Sequence, residues 1–168
     1  RIFKDREGTV NEEGVMFYQA VIDEFLSQGI EPVLCLHHFD MPMYWMEKGG
    51  FENRETAEGF AAFAAKCFEL FGGKVKRWIT FNEPIVIAEG GYIYKRHYPA
   101  VCDAKKAALV GYHIQLASSM AVYEVWERGG GGGGGWGAWG RGGGGGAFGS
   151  SGARRATNVP RSLSEGRL

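Results

Sequence analysis

The segment Pro32 to Leu36 is apolar without interruption. A strand lacking polar alternation has no face to turn to water, so it belongs in a sheet covered on both sides, and such sheets are parallel with helices over each face. Arg77 to Phe81 reads as a second buried strand. The sequence around the two must therefore supply the covering helices.

It does so three times. Asn11 precedes Glu12 and Glu13, and apolar residues recur at Val15, Tyr18, Ile22, Phe25 and Leu26 before Gly29. This predicts a helix capped by Asn11, with acids at its positive end and a glycine stop. Asn53 opens a second helix, with Phe60, Phe63, Ala64, Cys67, Phe68 and Phe71 on one stripe and Gly72-Gly73 at its end. Asp103 caps a third that runs to about Glu127, with Ala107, Val110, Ile114, Ala117 and Ala121 facing one way. Helix, strand, helix, strand, helix, in units of about forty residues, is the rhythm of parallel β/α construction. With Arg1-Ile2-Phe3 read as the end of an earlier strand, three strand ends each lead into a loop and a helix.

Composition changes abruptly at Arg128. Of the 28 glycines, 17 lie beyond it, with unbroken runs at Gly129 to Gly135 and Gly142 to Gly146. Ordering each such residue costs about 1 to 2 kcal/mol, and Trp136, Trp139 and Phe148 are too few to offset that. The expected division is an α/β unit over 1–128 and a disordered glycine-rich tail over 129–168. An Arg/Gly/aromatic tail can contact single-stranded nucleic acid, but five arginines are sparse for that role.

Acidic and basic residues balance at 19 each, which favours neither nucleic acid nor an anionic membrane as partner. No apolar run approaches the roughly 18 residues of a membrane span. Cys35, Cys67 and Cys102 form an odd set without short paired spacings, two of them inside apolar runs, so a reducing, cytoplasmic compartment is expected. Neither composition nor motif indicates an oligomeric state.

Chemistry in parallel β/α folds gathers where strands end. The first strand runs out into Leu36-His37-His38-Phe39-Asp40-Met41-Pro42, and the second into Thr80-Phe81-Asn82-Glu83-Pro84. Adjacent parallel strands would set His38 beside Asn82 and Glu83. A carboxylic acid, neutral hydrogen-bonding groups and an aromatic face are what a glycosidic substrate requires. Each residue also has an ordinary reading as a turn former or solvated polar group. A metal hydrolase built on Cys35, His37, His38 and Asp40 is disfavoured, since neighbouring strand residues point to opposite faces.

The run Trp78-Ile79-Thr80-Phe81-Asn82-Glu83-Pro84 resembles the acid/base signature at the fourth barrel strand of glycoside hydrolase family 1. Leu36 to Pro42 is similar to the family's third-strand sugar-binding motif, and Gly49 to Glu55 and Cys67 to Gly72 match the loop and helix between them. The resemblance covers about residues 1–128. It implies an α/β fold, a partial (β/α)8 TIM barrel spanning about strands 2 to 4 with their helices. It also implies Glu83 as general acid/base, Asn82 at the sugar 2-hydroxyl and His38 at another hydroxyl. Phe39 stands where many members carry tryptophan, and Arg1 falls on an arginine that supports the nucleophile. No metal or organic cofactor is implied. The implied substrate is a β-linked disaccharide or aryl glycoside, and Gly90-Gly91-Tyr92 with His97-Tyr98-Pro99 leans toward the branch that takes 6-phospho-β-glycosides.

The family's nucleophile lies in a Thr-Glu-Asn-Gly motif, which this sequence lacks. A retaining glycosidase needs two carboxylates about 5 to 5.5 Å apart. The expectation is thus a fragment that is inactive alone, against the alternative of a non-catalytic carbohydrate-binding or scaffold remnant.

Overall fold

The computed structural model describes residues 1–129; the expected glycine-rich tail lies outside the described residues. The elements run α1 (Glu12–Ser27), β1 (Val33–His37), α2 (Met43–Met46), a 3-10 turn (Gly50–Glu52), α3 (Arg54–Phe71), β2 (Arg77–Phe81), α4 (Pro84–Tyr92) and α5 (Ala104–Gly129). β1 and β2 pair in parallel, with Val33 opposite Arg77, Leu34 opposite Trp78, Cys35 opposite Ile79 and His37 opposite Phe81. The expected α/β order is therefore present; the second strand has its expected bounds, and the first runs from Val33 to His37, one residue later than the apolar run Pro32 to Leu36.

Arg1-Ile2-Phe3 is not a strand end. Phe3 makes an isolated antiparallel bridge to Val10, and the Asn11 N–H donates to the Ile2 carbonyl over 2.7 Å. The segment folds back on the chain entering α1, its backbone groups paired there: the Ile2 carbonyl accepts from Asn11, and the Lys4 N–H donates to the Thr9 carbonyl over 2.8 Å. The described sheet thus has two strands rather than three strand ends.

Capping also departs from expectation at two helices. Asn11 and Asn53 both stand at the N-cap position, yet neither side chain caps its helix. Asn11 Nδ2 donates to the Arg1 carbonyl over 2.9 Å and Asn53 Nδ2 donates to the Lys48 carbonyl, so each pins an incoming loop instead. Asp103 behaves as expected, its Oδ1 accepting from the Lys106 N–H at 3.0 Å. Gly29 ends α1 at φ 73°, the left-handed turn that favours glycine.

Two apolar clusters share α3. One gathers Phe51, Phe60, Phe81, Tyr92, Val110 and Ile114, and the other Ile2, Val15, Ile22, Cys67, Phe71 and Trp78. The predicted stripes of α3 and α5 are buried or half-buried throughout. On α1 only Val15 and Ile22 are buried, and Phe25 and Leu26 are exposed. The strands differ in cover: Trp78, Thr80 and Phe81 of β2 are buried, whereas Val33 is exposed and Leu34 to Leu36 half-buried. The face of β1 that a continuous apolar run should hide has no layer over it among the described residues.

Candidate active site

Both strands release their chains in the same way. Two residues past the paired positions His37 and Phe81 stand Phe39 at φ 65° and Glu83 at φ 41°. A bulky or branched-chain backbone at positive φ is sterically costly. At Glu83 part of the reason is local. Pro84 begins α4, and its ring excludes the helical conformation for the residue before it. Glu83 is thereby turned out of the strand and left exposed.

The two exits are tied together. The Asn82 N–H donates to the His37 carbonyl over 2.9 Å, and the Cys35 thiol donates to the same oxygen over 3.3 Å. His38 and Asn82 are thus the first residues beyond a paired His37 and Phe81. His38 is exposed and Asn82 half-buried. Phe39 stands edge-on to both His38 and His97, with ring centroids 5.3 and 5.6 Å away. Arg1 reaches the same end of β1: its guanidinium pairs with Asp40 at 3.1 Å and donates to the Tyr18 hydroxyl at 3.2 Å. The Tyr18 hydrogen bond, then the charges around it, raise the Arg1 pKa above its ordinary value. All five sequence-predicted residues therefore belong to the two strand exits or contact one of them.

His37 and His38 separate as strand alternation requires. The His37 ring is buried among Phe51, Phe60 and Phe81, and neither of its nitrogens has a hydrogen-bond partner. Burial lowers its pKa from 6.5 to about 4, so the ring is neutral. Among the described residues no cluster of three or more His, Cys, Asp or Glu side chains could hold a metal ion.

Sequence reasoning missed a second polar feature nearby. Glu52 pairs with Lys106 at 2.8 Å, and burial together with the Glu52 charge raises the pKa of Tyr92. The three residues are 40 and 14 positions apart in the chain, and no local pattern links them. The short α4 that delivers Tyr92 was equally hidden, since its Gly90-Gly91 pair reads as a turn. Both glycines are closely packed: a Cβ on Gly91 would stand 3.0 Å from the Tyr98 carbonyl and one on Gly90 3.1 Å from the His97 ring.

Comparison with known proteins bears on this geometry. The chain is 48% identical over 122 residues to the 6-phospho-beta-glucosidase GmuD of Bacillus subtilis, covering 73% of this chain and 26% of that protein. It is 40% identical over 122 residues to beta-glucosidase A of Thermotoga maritima, covering 73% and 27%. The solved family 1 β-glucosidase of Thermotoga maritima in complex with isofagomine lactam superposes with a TM-score of 0.77 at 38% identity, covering 82% of this chain and 31% of that one. The chain spans about a quarter of the length of these curated relatives. Its structural neighbours are TIM-barrel enzymes, of which it forms a partial α/β unit. Among the described residues no helix is long and apolar enough to cross a membrane. The sequence profile of glycosyl hydrolase family 1 matches residues 1–133, and the chain belongs to that family.

Proposed function

We propose that the chain is the part of a retaining β-glycosidase that carries its general acid/base, Glu83, and that it does not turn over substrate alone. The observation that carries this reading is the hydrogen-bonded junction of the two strand exits, which sets His38 and Phe39 of one beside Asn82 and Glu83 of the other. In the proposed reaction Glu83 protonates the leaving oxygen, Asn82 and His38 hold sugar hydroxyls, Phe39 supplies an aromatic face and Arg1 supports the nucleophile's side of the site. Substrates are β-glucosides or 6-phospho-β-glucosides, in keeping with relatives that are a 6-phospho-beta-glucosidase and a beta-glucosidase. Cytoplasmic location fits three unpaired cysteines.

Inactivity alone follows from the two-carboxylate requirement. Of the acids near the strand exits, Asp40 is held by Arg1 and Glu52 by Lys106, and Glu83 is exposed rather than enclosed. The purified chain is expected to show no turnover of an aryl β-glucoside or its 6-phosphate. The test of Glu83 is a chimaera in which residues 1–128 replace the matching stretch of the Bacillus subtilis relative. It should hydrolyse an aryl 6-phospho-β-glucoside, and Glu83→Gln should lower kcat about 10²- to 10⁴-fold. An undiminished kcat in that variant would remove the assignment.

A non-catalytic sugar-binding role is the second reading, favoured by one observation: the proposed hydroxyl-binding residues His38 and Asn82 and the aromatic Phe39 belong to the joined strand exits, while the sequence lacks the Thr-Glu-Asn-Gly motif that would supply the nucleophile. Calorimetry with cellobiose decides it, since no heat at millimolar ligand removes it.

A further inference from the structure

The Phe39 ring has open space around it. The residue is 36% exposed, its backbone stands at φ 65°, and it lines a cavity of about 350 Å³ together with Asp40, Met43, His97 and Tyr98. A ring bordered by solvent and by a cavity changes rotamer unless a neighbour stops it. Two rings stand against this one. His38 crosses it at 85° with centroids 5.3 Å apart, but His38 is the adjacent residue and moves with the same strand exit. His97 comes from a distant segment and crosses the ring at 89°, with centroids 5.6 Å apart.

His97 is itself fixed, and from α4. Its N–H donates to the Gly90 carbonyl over 3.0 Å, and its carbonyl accepts from the Ala100 N–H over 2.8 Å. Its ring lies so close over Gly90 that a Cβ there would stand 3.1 Å from both Cγ and Cδ2. Gly90 is thus the seat of the His97 ring, and it is buried within α4, which starts at Pro84 directly after Glu83. A continuous path runs from the second strand exit through α4 and His97 to the aromatic ring of the first. The bond from Asn82 to the His37 carbonyl joins the two exits through the backbone. His97 joins them again, through side chains.

We infer that His97 is a positioning residue, which holds the Phe39 ring at a fixed angle at the strand exits and so sets how well a sugar seats on it. The inference rests on the reading of Phe39 as the aromatic face for the substrate. A ring already held in place meets the sugar without further ordering, whereas one that swings must be immobilised on binding, which weakens the complex. Stacking on Phe39 is made to the bound sugar as well as in the transition state. Its loss therefore raises KM and leaves kcat in place.

The contact is tested in the full chain, with para-fluorophenylalanine introduced at position 39 alone and read by fluorine NMR. A single sharp line is expected. His97→Ala should displace and broaden it, and His97→Phe, which keeps a flat ring over Gly90, should return a sharp line. An unmoved line in His97→Ala overturns the inference. The effect on substrate is measured in the chimaera that tests Glu83. There His97→Ala should raise KM for the aryl 6-phospho-β-glucoside about 2- to 10-fold, the worth of one perpendicular ring pair, with kcat retained. In a Phe39→Leu background the same change should leave KM where it is, because the two residues act as one. A lowered kcat at constant KM, the mark of lost folded protein, or an equal rise in KM without Phe39 would each overturn the inference. A responding fluorine line beside a parent chimaera that hydrolyses nothing would leave the ring contact standing and remove the glycosidase reading, and with it the role toward a sugar.

Discussion

Glu83 pays a conformational cost for its position. At φ 41° and ψ 62° a residue with a Cβ sits about 1 to 2 kcal/mol above its right-handed alternatives, and glycine does not. Glu83→Gly is accordingly expected to raise the urea midpoint of the isolated chain by about 1 kcal/mol of stability, while the same change in the chimaera removes hydrolysis. Equal or lower stability would show that the left-handed backbone is not strained there. His37 makes an opposite kind of prediction. Its folded pKa of about 4 lies below the ordinary 6.5, so the unfolded chain takes up the proton first as pH falls. The contribution is complete above pH 6.5 and is lost toward pH 4, up to about 3 kcal/mol. Urea unfolding at pH 7 and pH 4.5 measures it, and His37→Phe should flatten that portion of the profile. Burial is the main cause of the lowered value; the Asp40 charge favours the protonated ring and the His38 charge opposes it.

At the level of elements, helices with a continuous stripe were legible and short connecting ones were not. The stripes of α3 and α5 repeat over several turns, and their burial follows from that repetition alone. The four-residue α2 and nine-residue α4 offer too few turns for a period to show, and α4 carries a glycine pair that locally signals a break. Gly59 illustrates what such contacts demand. A Cβ there would stand 2.2 Å from the indole of Trp45, which joins α2 to α3. Alanine would gain about 1 kcal/mol of helix propensity but displace a rigid ring, an overpacking cost of about 1 to 3 kcal/mol. Gly59→Ala is expected to be net destabilising and to shift tryptophan emission to the red as Trp45 loosens; a higher melting temperature would contradict this.

For the whole molecule, the exposed side of β1 is decisive. Two strands make a marginal sheet, and open edges beside Val33, Phe25, Leu26 and Ile30, all exposed, invite association. Light scattering of the purified chain should rise with concentration, and Val33→Lys should reduce it; a concentration-independent monomer would show that this face is tolerated. The same face explains where sequence and structure part. An apolar run dictates a strand, and a repeated stripe dictates a helix, because those patterns depend on backbone geometry within a few residues. The order of β1, α3, β2 and α5, and the placing of His38 beside Asn82 and Glu83, followed from that and from the family motifs. Tertiary structure alone decided that Arg1-Ile2-Phe3 folds back rather than extending the sheet and that two capping asparagines hold loops instead of helices. It also decided that His37 sits unpaired among three phenylalanines. Each depends on which distant groups compete for the same hydrogen bond or the same volume, and no local spacing records that competition.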